Sequence, residues 1–256
     1  GREGWTLISY VVNREGVAVD SLVEDSSGSP AFDKAAVAAV SQLRYTPARL
    51  SGAPVERCFS QQKITFQKPP HRYDVARRFE NDLGDVNKST RAGRHDEAAT
   101  MLAALDESYP RNLFEDARFW LTSANLAQAR GDLSGEISHL RKAIAYEGVY
   151  LPDALYAAAL KRLYNAEIQS GLVADSLATS ERLGAIRKQD RDVAALVAHS
   201  AEQRRQLDEL DFFSTPVTLV EGKVASHSLL RDRFSFLVES GSLDDFELRC
   251  RAHRAL

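Results

Sequence analysis

Three glycines cut the middle of the chain at nearly equal intervals. Gly93, Gly131 and Gly171 stand 38 and 40 residues apart. Each lies inside a short polar break: "RAGRHDEA", "ARGDLSGE" and "QSGLVADS". Long amphipathic stretches flank every break, and nothing between residues 73 and 210 reads as a strand. A period in this range belongs to helix-pair arrays, where one repeat cannot bury its own apolar face and stacks on the next. The spacing predicts helical hairpins that turn at the three glycines. Residues 192–209 read as a polar closing helix, which an open stack needs because its last apolar face otherwise meets water.

The two ends have a different texture. "GWTLISYVVN" and "VAVDSLVED" are rich in β-branched and aromatic residues and are separated by "NREG", where Gly16 suits a tight hairpin. Ser29 then reads as a helix N-cap, with Pro30 preset for the first helical position and Asp33 in the first turn. Phe32, Ala35, Ala36, Ala39, Val40 and Leu43 recur at helical spacing and predict one narrow apolar face, and Pro47 stops the helix. "SGAP" reads as a turn, residues 55–66 as a third strand with a bulge at its polar centre, and "KPP" as a linker. Near the other end, "PVTLVEGKVA", "RFSFLVE" and "DFELRCRA" read as a three-stranded meander over 215–256, too small to stand alone. The fold class is therefore α+β: a ββαβ domain over 1–68, helical repeats over 73–210, and a C-terminal β meander that packs on one of the others.

Two resemblances follow from these residues. In the array, Trp120, Ala124, Gly131 and Ala143 come in the order of the tetratricopeptide repeat, as do Gly93, Ala98 and Pro110, while the third unit carries Ser176 and Leu183 where alanine is expected. Residues 4–66 resemble the C-terminal domain of the TonB family. The resemblance is carried by Gly4-Trp5, Gly16, Ser26-Ser27-Gly28, Phe32-Asp33, Ala36, Ala39-Val40, Arg44-Tyr45, Pro47-Ala48, Gly52, Pro54-Val55, Ile64 and Phe66. It implies a periplasmic domain tethered by an inner-membrane helix. Such a domain passes energy from an inner-membrane proton-driven motor to outer-membrane receptors, gripping the receptor's TonB box as a strand added beside its own third strand. On that implication Val55, Arg57, Phe59, Gln61 and Lys63 are the candidate partner-binding residues. Unlike a simple TonB chain, this one continues into a helical array. Two readings stay open: an energy transducer with a helical partner-binding arm, or a periplasmic scaffold in which the TonB-like unit is only structural.

Charge and motifs narrow the field. A net charge of −3 gives no basic footprint for nucleic acid. No apolar run approaches the roughly 18 residues of a membrane span, and no signal peptide is visible. Gly1 is not a natural start, so the chain is expected to be a trimmed or mature form with any anchor upstream. His71, His95, His139, His199, His227 and His253 are scattered, and no HExxH, GxSxG or phosphate-binding loop occurs. We therefore expect no catalytic residues, no metal and no cofactor. Two cysteines, Cys58 and Cys250, exclude a CxxC pair. In an oxidising compartment they are expected to join in a disulfide that brings the meander against residues 55–66.

Overall fold

The computed structural model describes residues 2–68, 74–187 and 190–210, with Leu237 and Ser240 beyond them; the side chains of Cys58 and Phe59 fall outside that description. The expected meander over 215–256 and Cys250 therefore lie outside the described residues, and so does the proposed disulfide. The described chain divides into two units: Gly4–Phe66 forms one, and residues 2–3 with 67–210 form the other.

In the first unit, β1 (Gly4–Val12) is the central strand, with β2 (Ala18–Ser26) on one side and β5 (Arg57–Phe66) on the other, both antiparallel to it. The β1–β2 hairpin closes on Asn13, whose Oδ1 accepts the Glu15 and Val17 amides. Gly16 takes φ +78°, and its carbonyl accepts the Tyr45 amide at 2.8 Å. A methyl group on Gly16 would lie 2.0 Å from the Tyr45 carbonyl oxygen, so glycine is required there twice over.

Helix α1 (Pro30–Ser41) lies on one face of the sheet. Ser29 occupies the N-cap position but its side chain makes no capping bond; Pro30 holds the first helical position. Asp33 does more than complement the helix dipole: its carboxylate accepts the Thr6 hydroxyl at 2.8 Å and the Ser26 hydroxyl at 3.3 Å, which ties the first turn to the sheet. Ala36 and Val40 are fully buried against Ile8, Tyr10, Val12 and Ala18, and Phe32 stacks on Phe66 with ring centres 4.5 Å apart.

Two expectations fail here. Ala35, Ala39 and Leu43 are exposed, because the helix ends at Ser41 and its core face is made by Ala36 and Val40, with Phe32 and Val37 partly buried beside them. The expected strand 55–66 is also two elements. Residues β3 (Ala48–Leu50) and β4 (Ala53–Val55) form a ribbon of their own around Ser51 and Gly52, both at positive φ, and β5 begins only at Arg57. The β5 bulge sits between Arg57 and Ser60, ahead of the polar centre rather than in it.

The second unit is built from helix pairs. They are α2 (Arg77–Arg91) with α3 (His95–Ser108), α4 (Leu113–Ala129) with α5 (Leu133–Ala143), and α6 (Asp153–Gln169) with α7 (Val173–Ile186). Gly93, Gly131 and Gly171 sit at the three turns, with φ of +75°, +69° and +70°. Each turn repeats one bond: Arg94 N–H to Ser89 C=O, Asp132 N–H to Ala127 C=O, and Leu172 N–H to Glu167 C=O. This six-to-one closure around a left-handed glycine satisfies carbonyls that a helix end leaves open. Small residues Ala98, Ala124, Ala143 and Ala166 are buried between the helices. Helix α8 (Arg191–Glu209) packs on α7, buries Val193 and Ser200, and leaves much of its surface polar.

Candidate partner-binding surface

Each candidate residue of the third strand has a definite place. Val55 belongs to β4 and is off the three-stranded sheet. Arg57 opens β5 at its bulge, and Phe59 lies within the bulge. From Ser60 to Phe66, β5 runs opposite β1 in unbroken register, Ser60 against Tyr10 through Phe66 against Gly4. Side chains alternate along a strand, and Ile64 and Phe66 join the core under α1, so Gln61 and Lys63 stand on the opposite face. Gln61 and Gln62 are exposed, and the Lys63 ammonium lies over the Trp5 ring, 5.3 Å from its centre.

Among the described strands, β2 and β5 are the two outer members of the sheet. They differ in how well they would accept another strand. The β1–β2 ladder shifts register twice, and Asp20 in β2 sits at φ +52°. Acidic Asp20, Glu24 and Asp25 line the same strand. Bulges and charges of this kind discourage further pairing. The long regular run of β5 is instead the geometry to which an extended peptide adds through main-chain hydrogen bonds.

Residues 1–67 match the model of the Gram-negative bacterial TonB protein C-terminal family. The match takes in the whole sheet unit. Searches of curated proteins and of solved structures found no match. The ordered residues from Gly4 to Phe66 thus point to the same family as the match, and the TonB-type unit is the part of the chain to which that family speaks.

The helical unit contains a polar cluster that sequence reading missed. Arg111 is fully buried at the connection between α3 and α4. Its Nε donates to Asp116 at 3.1 Å, another guanidinium nitrogen donates to Asp106 at 2.6 Å, and the guanidinium lies 3.9 Å from the centre of the Phe119 ring. Arg2 pairs with the same two aspartates. Burial pushes the Asp116 carboxyl above the usual carboxylate range, and the two arginines and the Trp120 indole N–H pull against that rise.

Beside this cluster, Asn112 and Glu115 form a reciprocal capping box at the start of α4. Glu115 also accepts the Ala76 amide and the Tyr109 hydroxyl, and the Asn112 side chain donates to the Asp74 carbonyl. The signal was present in the sequence as N-x-x-E before an apolar run. What it lacked was any sign of the distant segments the box also holds.

Trp120 is only half-buried, stacked on His139, with the Lys142 ammonium 4.5 Å from its ring centre. Burial and Lys142 hold His139 below the usual histidine range. His95 opens α3 beside Asp96 and Glu97. Among the described residues no group of His, Cys, Asp and Glu is arranged to hold a metal, and no helix is long and apolar enough to cross a membrane.

Proposed function

We propose that this protein is a non-enzymatic, periplasmic TonB-family protein. In this reading it takes an extended segment of a protein partner along β5, and its helical unit is a tetratricopeptide-like arm for a second partner. The TonB box of an outer-membrane receptor is the proposed strand partner, and an inner-membrane proton-driven motor is the proposed source of energy. One observation carries the reading: within the span that matches the TonB family, β5 is an outer strand of the described sheet with seven residues in unbroken register. The positive φ in β2 and its two register shifts favour β5 over β2 for strand addition.

Titration of the full chain with a TonB-box peptide, followed by amide exchange, tests this. Strand addition slows exchange at backbone amides between Ser60 and Phe66 and leaves those of β2 unchanged. Gln61→Pro, which removes an amide that faces away from β1, weakens binding while the helical signal is kept. Protection confined to β2, or none in the sheet unit, defeats the proposal and leaves the TonB-type unit as a structural part of a scaffold.

A further inference from the structure

Glu3 is a largely buried carboxylate that lies one residue before β1. One of its oxygens accepts the Lys68 amide at 3.0 Å, and the other accepts the Leu113 amide at 3.2 Å. Its own amide donates to the Arg111 carbonyl at 2.8 Å. Leu113 is the first residue of α4, and its N–H is one of those a helix cannot satisfy internally. Asn112 caps the Glu115 amide, so the Leu113 amide is left for Glu3.

The positions of these residues in the chain give the arrangement its meaning. The chain passes between the two units at Glu3–Gly4 and again at Phe66–Gln67. Glu3 stands at the first crossing and Lys68 just beyond the second. The Glu3 carboxylate thus joins both to the start of α4, beside the bond from the Glu3 amide to the Arg111 carbonyl. Arg2 adds ion pairs to Asp106 and Asp116, but Asp106 is exposed, so the pair it makes is screened by salt.

We propose that Glu3 is a strap: its carboxylate holds residues 2–3 and 67–68 to the first turn of α4, and its release opens both segments together without unfolding the helix pairs. The apolar clusters of the helical unit, one around Phe79, Val86 and Phe119 and the other around Leu140, Leu160 and Leu183, contain none of the strap residues. The capping box at Asn112 stays in place when the carboxylate leaves. Opening is therefore local, of the kind that amide exchange resolves from global unfolding.

The test is hydrogen exchange on the full chain, comparing the parent with Glu3→Ala and Glu3→Gln. In Glu3→Ala, exchange at the Lys68 and Leu113 amides rises together, by about tenfold or more, as expected for loss of hydrogen bonds to a charged group. The Leu140 and Leu163 amides keep the parent rate. Glu3→Gln has one acceptor oxygen in place of two and raises exchange at one of the two amides. If Glu3→Ala does not fold, Glu3→Gln decides alone. Unchanged exchange at both Lys68 and Leu113, or a rise shared equally by Leu140 and Leu163, overturns the strap.

Discussion

Gly16 in the sheet unit and Gly131 in the helical unit both take left-handed backbone, with φ of +78° and +69°. A methyl group added to each would meet different surroundings. At Gly16 it strikes the Tyr45 carbonyl oxygen at 2.0 Å, whereas at Gly131 nothing lies within 4 Å. Gly93 and Gly171 are as open as Gly131. Gly16 thus lets two backbones touch, whereas Gly93, Gly131 and Gly171 serve only to reverse direction. Strictness in the helical unit lies elsewhere, in the polar residues from Arg111 to Asp116 that join one helix pair to the next.

This contrast can be broken by measurement. The chain has two tryptophans, Trp5 in the sheet unit and Trp120 in the helical unit, so Trp5→Phe leaves a fluorescence signal from the helical unit alone. In that background Arg111→Ala has the largest effect, a loss of about 3–5 kcal/mol in urea unfolding, because Asp116 is left buried without its closest cation. A loss near zero would mean that the connection between α3 and α4 is not where the unit is strict. Gly16→Ala follows, at about 3 kcal/mol or more, from overpacking added to the left-handed penalty, read from Trp5 with Trp120 replaced.

Ala36→Leu overfills the space between α1 and the sheet and costs about 1–3 kcal/mol. Gly131→Ala costs about 1–2 kcal/mol from backbone conformation alone, and Gly131→Asn less, since asparagine tolerates the left-handed region. If the two substitutions cost the same, the turn is governed by contacts and the comparison fails. Ala39→Leu, on the exposed side of α1, stays within about 0.5 kcal/mol in thermal unfolding.

The sequence exposed the turns of the helical unit because a left-handed residue in a six-to-one closure selects glycine, and that choice is local. Gly93, Gly131 and Gly171 were therefore visible as punctuation. The hairpin at Gly16 was visible for the same reason, although its contact with Tyr45 was not. The face of α1 was misread at Ala35, Ala39 and Leu43 because alanine is neutral between core and surface, and the helix stops at Ser41, well before Pro47. The β3–β4 ribbon was hidden because its turn at Ser51 and Gly52 looked like an interruption before one strand rather than a hairpin of its own. The hold of Glu3 on Lys68 and Leu113 spans 65 and 110 residues, and no local pattern encodes it. At the candidate surface, the alternation along β5 was legible, but its bulge was placed too late because only the pairing with β1 fixes register.

The open space around Gly93 and Gly131 makes these turns natural ports for added sequence. Both glycines are exposed, and the helices on either side are closed by their own backbone bonds and cores. Lengthening such a loop costs only about 0.6 kcal/mol for each doubling of its length. An epitope, a fluorophore-binding tag or a short reporter peptide placed at either turn would give up the six-to-one bond there and leave the apolar clusters in place, whereas the same cargo at Gly16 would prise Tyr45 from the hairpin.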